Sequence, residues 1–264
     1  MNNYNNKILN LTIIGGINKY GENENVKIIN IKSGEIIGIV GPTGSGKTTL
    51  IDDIEQLANG DTESKRKILI NEKIPTENMR YDPKKKIIAQ LSQNMHFSID
   101  MTVENFLNMH AKSRSKNNIN IDYVINCANM LCGEPILKDN ILTMLSGGQS
   151  RALMTADIAI ISDSPVVLVD EIENAGIIKQ KALKMLSGTG KIVIVVTHDP
   201  MLSLMTEKRI VLKKGGMEKV IVQSNEEKEI YKKLEKIDSF LFELREDIRN
   251  GKNINEDTIK KLCL

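Results

Sequence analysis

The chain has no tryptophan, few other aromatic residues, three cysteines and almost no net charge. The cysteines lie at positions 127, 132 and 263, and their odd number and spacing match no zinc or redox pattern. Reduced thiols in an intracellular setting are therefore expected. The 36 basic and 34 acidic residues leave a formal charge of +2, so no strong field favours nucleic acid or an anionic membrane as a partner.

Long apolar runs are also missing from the sequence. A helix needs about 20 apolar residues to span a bilayer, and no stretch approaches that length. Residues 1–7 are polar and contain no apolar segment of the kind that secretion signals carry. We expect a cytoplasmic protein without a transmembrane segment of its own, which reaches the cytoplasmic face of a membrane only as a peripheral subunit.

The sequence does contain a regular alternation of strand and helix patterns. Four apolar runs lack polar alternation, which is typical of strands covered on both faces. They lie at residues 35–40, 87–91, 166–169 and 192–196. Helical spacing follows position 47, and Asn59 and Gly60 are predicted to end that helix. The pattern predicts an α/β fold with a largely parallel sheet.

Three further segments have residue patterns that differ from this alternation of strands and helices. Residues 102–146 show helical periodicity and no strand pattern, and we interpret them as a helical subdomain inserted in a core domain of residues 1–224. Residues 209–222 predict a hairpin that turns at its paired glycines. Residues 225–264 form a C-terminal extension with a heptad seam of nearly three repeats. Two interpretations of this helix stay open: docking on the chain's own core, or binding to a second copy or another protein.

The clearest chemical motif is a glycine-rich loop. Residues 41–48, Gly-Pro-Thr-Gly-Ser-Gly-Lys-Thr, fit the phosphate-binding pattern G-x-x-x-x-G-K-[ST] and lie between a predicted strand and a predicted helix. Backbone N–H groups wrap the phosphates, the Lys47 ammonium reaches the terminal phosphate oxygens, and the Thr48 hydroxyl ligates magnesium. The predicted nucleotide contacts are Gly41, Pro42, Thr43, Gly44, Ser45, Gly46, Lys47, Thr48 and Thr49.

A second glycine motif, Leu-Ser-Gly-Gly-Gln, lies at residues 145–149 and opens an apolar helix, whose N-terminus favours anions. With the motifs described next, it resembles the ABC (ATP-binding cassette) ATPase family over residues 20–198. The resemblance implies a P-loop NTPase core with an N-terminal antiparallel β subdomain. It also implies that this signature motif meets the γ-phosphate of ATP held by the other subunit of a head-to-tail dimer. The implied contacts are Ser146, Gly147, Gly148 and Gln149.

Polar residues at strand ends extend the resemblance. Asp170 and Glu171 end an apolar strand and are similar to the family's magnesium-binding and catalytic acids. By that resemblance, Asp170 holds the magnesium shell and Glu171 polarises the attacking water as a general base. His198 follows another apolar strand and looks like the switch histidine that contacts the γ-phosphate. The implied catalytic set is Glu171, His198, Lys47 and Gln93.

Two further residues complete the implied site. Gln93 resembles the glutamine that joins magnesium to the helical subdomain. Gln90 is the alternative candidate for that role if the pattern is aligned differently. Tyr20 precedes the phosphate loop by about the interval at which the family places a ring that stacks on adenine. The alternative for Tyr20 is an ordinary surface tyrosine. The implied magnesium ligands are Thr48, Gln93 and Asp170.

Two departures from the family pattern bear on function. Residues 174–177 read Asn-Ala-Gly-Ile, where the family usually ends this loop in an aspartate that crosses the dimer interface. Ile177 cannot make that charge-assisted contact, so communication between the two sites is expected to differ. Residues 150–153 read Ser-Arg-Ala-Leu instead of the glutamine-arginine run of transporter subunits. Both departures weaken the resemblance to transporters, but not to ATPases.

We therefore expect an ABC-type ATPase that binds and hydrolyses ATP with Mg²⁺ at the interface of a head-to-tail dimer, formed with a second copy or a paired ABC subunit. It would pass conformational work to a partner, with a membrane permease as the first expectation. The alternative is a soluble ABC ATPase that remodels a protein, a cofactor or nucleic acid. A small-molecule kinase or a GTPase fits less well, because the chain has no Asn-Lys-x-Asp motif and the signature would have no role.

Overall fold

A computed structural model describes residues 10–82, 86–92, 95–170, 172 and 176–255. The strands are β1 Asn10–Ile14, β2 Ile28–Lys32, β3 Ile36–Val40, β4 Lys67–Ile70, β5 Ile88–Leu91, β6 Val166–Asp170, β7 Ile192–Val196, β8 Lys208–Lys213 and β9 Gly216–Val222. The helices are α1 Lys47–Glu55, α2 Glu77–Tyr81, α3 Val103–Ser113, α4 Ile121–Asn129, α5 Gly147–Ile160, α6 Lys179–Gly188, α7 Pro200–Met205 and α8 Asn225–Arg249.

The central sheet has six strands in the order β5-β6-β7-β3-β8-β9. The first five are parallel, and β9 returns antiparallel to β8. The turn between β8 and β9 consists of Lys214 and Gly215, so it begins one residue before the paired glycines. Both residues have positive φ, 54° and 84°, which matches the twist of a two-residue hairpin.

Successive residues of the central strands face two different cores. In β6, Val167 and Val169 join a cluster with helices α5 and α6, whereas Val166 and Leu168 join a cluster with α1 and the N-terminal strands. Both faces of the sheet are covered, which explains why these strands show no polar alternation. The predicted α/β fold with a largely parallel sheet is confirmed.

The N-terminal strands form a separate antiparallel sheet in the order β2-β1-β4. Its inward side chains, including Leu11, Ile13 and Ile31, are fully buried against the α1 face of the central sheet. The predicted antiparallel β subdomain is therefore confirmed.

Helix α1 ends earlier than the sequence predicts. It stops at Glu55 instead of continuing to Asn59 and Gly60. The chain leaves the helix because Leu57 adopts a left-handed conformation, φ 51°, which buries its side chain to 2% exposure. Burial of one apolar side chain thus overrides the local stop pattern.

Helices α3 and α4 lie within residues 102–146, the segment with helical periodicity. Thr102 and Asn120 begin them, since each side chain accepts a backbone N–H from the first turn. A single 3₁₀ turn, Leu142–Met144, leads to α5. The division of the chain into a core of residues 1–224, an inserted subdomain and a C-terminal extension stays a prediction.

Helix α8 is partly docked on the chain's own core. Tyr231 and Leu234 pack against the cluster that includes α6 and α7, and the amide of Gln180 donates to Asp238 at 3.1 Å. Leu241 and Ile248, in the C-terminal half of the same helix, remain exposed. Its N-terminal half therefore favours docking on the chain's own core. Its C-terminal half leaves open binding to a second copy or another protein. None of the helices that the structure describes is long and apolar enough to span a bilayer.

Candidate functional site

Three predicted site elements leave the same edge of the central sheet. Strands β6, β7 and β3 are adjacent and parallel, and Asp170 and Ile39 both pair with Val196. Beyond this level, β3 continues into the phosphate loop and β7 into Thr197 and His198, with the Thr197 N–H directed at the Ile39 carbonyl 3.5 Å away. Ligands of open α/β sheets bind in the crevice outside the carboxyl ends of the strands. The structure therefore brings together the phosphate loop, Asp170 and His198.

Glycine is required in the phosphate loop by shape. Gly46 precedes α1 with φ 97°, and a Cβ there would lie 2.8 Å from the Cα of Gly215. A Cβ on Gly41 would lie 2.6 Å from the Leu212 carbonyl oxygen. Among the residues that the structure describes, no side chain caps the start of α1, so the first-turn N–H groups are left to face a ligand.

Two side chains of this loop fit a bound polyphosphate. The Ser45 hydroxyl is buried and has no hydrogen-bond partner within the described ranges. The Lys47 ammonium donates to the carbonyl oxygens of Gly41 and Pro42, at 2.8 and 3.1 Å. Phosphate oxygens are stronger acceptors than these carbonyls and can also accept from the buried hydroxyl. The residues present thus match the nucleotide that the motif predicts.

Tyr20 lies on an exposed loop beside the β8–β9 turn. Its side chain is 63% exposed. The ammonium groups of Lys19 and Lys214 lie 5.2 and 6.0 Å from the ring centroid, within the range of cation–π attraction. The loop is ordered by Asn18, whose side-chain oxygen accepts the N–H groups of Tyr20 and Glu22 at 2.9 and 3.1 Å. An exposed ring held in this way is able to stack on a base, so the stacking role stays a prediction that the geometry allows.

The signature motif begins α5, as the sequence predicts. The Ser146 hydroxyl accepts from the Gln149 N–H, and the Gln149 side chain accepts from the Ser146 N–H, which forms a capping box. Ser146 and Gly147 are exposed. The motif therefore has a structural role in starting the helix, and its contact with a second subunit's nucleotide stays a prediction.

The structure describes only some of the remaining predicted site residues. Glu171 and Gln93 lie outside the described residues, so their roles stay predictions. Gln90 lies within β5, opposite Leu168 of β6, and is half-buried. His198 is exposed at the sheet edge.

Asp199 fixes the chain directly after His198. Its carboxylate accepts the N–H groups of Met201 and Leu202 at the start of α7 and lies 2.6 Å from the Lys179 ammonium. Burial alone would raise the pKa of Asp199, but the hydrogen bond and charge of Lys179, with the two N–H groups, lower it overall. This ion pair joins the segment around His198 to the start of α6.

The substitution Asp199→Asn should remove the ion pair and keep the helix cap, because asparagine accepts the same N–H groups. We expect a loss of about 1–2 kcal/mol in the free energy of unfolding at neutral pH. Because the folded-state pKa lies below the ordinary value of 3.8, this stability is present above that value and disappears as the pH falls through the folded-state pKa. Thermal melts should therefore show the difference between variant and wild type shrinking in acid. A pH-independent difference would contradict this account, and Asp163→Asn, in an exposed pair with Lys116, is the control.

Ile177 occupies a buried position. It is 5% exposed and belongs to the core cluster that contains α5 and α6. Gly176 precedes it with φ 67°. At the position of the family's aspartate, this chain therefore places an apolar side chain in its own core. This burial is the reason we expect the position to make no contact with a second subunit.

The substitution Ile177→Asp should destabilise the folded chain by about 3 kcal/mol or more, because it buries a carboxylate without a partner. The control Ile177→Val should cost about 1 kcal/mol. Urea unfolding of both variants measures the difference. Equal stabilities would mean that the aspartate side chain turns to the surface, where it could meet a second subunit.

Sequence reasoning missed the buried ionic group around Arg66. Arg66 is fully enclosed by Glu24, Asp53 and backbone, at positions far apart in the chain. No local pattern marks these residues, because each is a single charged side chain in an otherwise ordinary stretch.

Comparison with known proteins gives consistent similarities. The family described as ABC transporter matches residues 25–174. The protein named "Uncharacterized ABC transporter ATP-binding protein MJ0121" of Methanocaldococcus jannaschii is 60% identical over 254 residues, which cover 96% of this chain and 97% of that protein. "Fe(3+) ions import ATP-binding protein FbpC" of Fusobacterium nucleatum is 28% identical over 220 residues, and the match covers 79% of this chain but 56% of that protein.

A solved structure agrees with these similarities. It is cbiO1 from Clostridium perfringens, described as part of the ABC transporter complex cbiONQ. It superposes with a TM-score of 0.56 at 25% sequence identity, over 89% of this chain and 98% of that one. The fold described above is therefore shared with a subunit of a transporter complex over most of its length.

Proposed function

This chain belongs to the ABC transporter family and is an ATPase, and on that premise we propose that it hydrolyses MgATP across the interface of a head-to-tail dimer. Each site would combine the phosphate loop of one subunit with the signature helix of the other. Closure on two ATP molecules and opening after hydrolysis would convert phosphate contacts into movement. That movement would be passed to a partner.

One observation supports the proposal most. The phosphate loop, Asp170 and His198 leave adjacent parallel strands at one edge of the sheet. A triphosphate in the loop would therefore have a carboxylate and an imidazole close to its terminal phosphate. Glu171 follows Asp170 directly in sequence and would reach the same crevice as the general base.

Thr48 and Asp170 are the described residues that would hold Mg²⁺, with Gln93 as a predicted third ligand. Within the described parts of the chain, no group of three or more His, Cys, Asp or Glu side chains could hold a metal ion. A hydroxyl and a carboxylate suit magnesium, which binds few protein ligands together with phosphate and water. Bound there, the ion would neutralise charge on the phosphate oxygens.

The chain's own groups would share the remaining work. The Lys47 ammonium and the first-turn N–H groups of α1 would bind the phosphate oxygens and hold them in line with the attacking water. Glu171 would accept a proton from that water. His198 would contact the terminal phosphate and register its release. Tyr20 would stack on the base.

The partner is proposed to be a membrane permease. Support comes from the names of relatives, which describe ATP-binding proteins of transporters. The alternative is a soluble ABC ATPase that remodels a protein, a cofactor or nucleic acid, and the altered segment at Ile177 favours it. Co-purification from detergent-solubilised membranes separates the two, because recovery of soluble partners alone would count against a permease.

The shared site can be tested by mixing two inactive variants. Lys47→Ala removes the phosphate grip of its own subunit, and Ser146→Arg should block the signature contact made to the other subunit. In a heterodimer of the two, one site keeps both an intact Lys47 and an intact Ser146. We expect ATP hydrolysis to return on mixing, to about a quarter of the wild-type rate if subunits exchange at random.

The control is each variant alone at the same total concentration, which should stay inactive. Sites confined to one subunit would give no recovery on mixing. That result would reject the head-to-tail arrangement while leaving nucleotide binding itself intact.

A further inference from the structure

Arg66 is one of the large side chains that are fully buried, and its environment is ionic. The guanidinium lies 2.6 Å from a Glu24 carboxylate oxygen and 2.8 Å from an Asp53 carboxylate oxygen. It also donates to the Gly215 carbonyl oxygen at 2.9 Å. Ser64 donates to the same Asp53 oxygen at 2.7 Å. We call Arg66, Glu24 and Asp53 the buried triad.

Two members of the buried triad adjoin different parts of the proposed nucleotide site, and the third connects them. Glu24 follows the loop of Tyr20 and accepts the N–H groups of Gly16 and Met217, at 2.8 and 2.6 Å. It therefore joins the start of that loop to strand β9. Asp53 lies in α1, the helix that begins at the phosphate loop. Arg66 connects the two carboxylates and the β8–β9 turn.

The β8–β9 turn completes the connection. The Gly215 N–H donates to the Ser45 carbonyl oxygen at 3.0 Å, within the phosphate loop. On its other side, the Lys214 carbonyl oxygen accepts the Lys19 N–H at 3.2 Å, next to Tyr20. The turn thus lies between the loop of Tyr20 and the phosphate loop and contacts both.

A buried ionic group is a costly way to obtain stability alone. Taking three charges from water costs more than packing apolar side chains of the same volume, and such groups are best attested where they fix a geometry. Burial would lower the pKa of Arg66, but the hydrogen bonds and charges of Glu24 and Asp53 raise it overall, so the guanidinium stays charged. The directional bonds of a charged guanidinium are suited to fixing the orientation of the groups around it.

We propose that the buried triad sets the position of Tyr20 relative to the phosphate loop, so that the site binds the base and the triphosphate of one nucleotide together. Glu24 and Arg66 are then positioning residues, because they lie within the protein and act through the two loops. This inference rests on the nucleotide site proposed above. It adds that the preference for a nucleotide over a polyphosphate without a base depends on Glu24 and Arg66, which would contact neither ligand.

The test compares binding of MgATP with binding of magnesium tripolyphosphate, which has no base. Tyr20→Ala should weaken ATP binding about tenfold and leave tripolyphosphate binding unchanged, because stacking on the base is lost. Both further substitutions nearly keep the size of the buried side chain. Glu24→Gln removes one hydrogen-bond acceptor, and Arg66→Lys removes the forked guanidinium. Each should lower the ATP to tripolyphosphate affinity ratio about threefold to tenfold, by misplacing the ring.

A double variant makes the test specific. If Glu24 acts through Tyr20, Glu24→Gln should cause no further loss of the ratio in a Tyr20→Ala background. The matched control is Lys191→Gln, since Lys191 is a buried cation whose ammonium donates to the Ser162 and Ser164 carbonyls at the opposite end of the strands. It should lower stability without changing the ratio.

The outcomes are distinct. An unchanged ratio in Glu24→Gln and Arg66→Lys, or a ratio that falls equally in Lys191→Gln, would overturn the positioning role. An unchanged ratio in Tyr20→Ala would overturn it as well. Failure of the proposed nucleotide site would appear differently, because the wild-type chain would then bind neither ligand.

Discussion

Lys47→Ala is expected to reduce MgATP affinity by about 100-fold or more and to abolish measurable hydrolysis. The ammonium would make two or more charge-assisted hydrogen bonds to phosphate, each contributing about 1.5–3 kcal/mol. In the structure it donates to the Gly41 and Pro42 carbonyls. Because these bonds are partly exposed to solvent, the folded state should lose little stability. The substitution therefore separates binding from folding.

Isothermal titration with MgATP measures the loss, and a thermal melt checks the fold. The control Lys233→Ala removes an exposed lysine of α8 and should change neither quantity. Unchanged ATP affinity in Lys47→Ala would remove Lys47 from the phosphate grip. A large fall in melting temperature would instead mean that its bonds to the loop carbonyls support the fold.

Glu171→Gln should lower the rate of ATP hydrolysis about 10²- to 10⁴-fold while leaving ATP affinity nearly unchanged. Glutamine has the same shape as glutamate but cannot accept the proton of the attacking water. ATP should therefore stay bound, and the closed dimer should accumulate. Single-turnover hydrolysis and size-exclusion chromatography with light scattering measure the two effects.

Two further variants show whether these effects come from the lost general base and from bound ATP. Asp163→Asn neutralises an exposed carboxylate away from the phosphate loop in sequence and should hydrolyse ATP normally. Adding Lys47→Ala to Glu171→Gln should prevent the dimer from accumulating, because closure requires bound ATP. A Glu171→Gln chain that holds ATP but stays monomeric would exclude sites shared between two subunits.

Much of the site was predictable because its motifs are local. The phosphate loop needs a strand, glycines at fixed positions and a helix in sequence, and residues 36–55 provide them in order. Asp170 and His198 were predictable for a related reason, since each follows an apolar run that forms a central strand. The apolar runs alone do not predict the order in which those strands pair in the sheet. That order depends on pairings between segments that are distant in sequence, such as Ile36 of β3 with Val193 of β7.

Other features were hidden because they depend on tertiary packing. The left-handed turn at Leu57 and the buried position of Ile177 are set by the cores that these side chains enter. The buried triad joins residues 24, 53 and 66, and no spacing in a single sequence marks such a group. In each case the deciding interaction is between segments that the sequence pattern treats separately.

The position of β7 also bears on how the protein is made. Among the described strands, β3 pairs with β7 and β8, and β6 pairs with β5 and β7. The phosphate loop therefore emerges from the ribosome long before the strand that joins β3 to β6. Until residues 192–196 are synthesised, the nascent chain carries a nucleotide motif without its sheet. ATP can therefore stabilise this site only after β7 has been made, because a ligand stabilises the folded state that binds it.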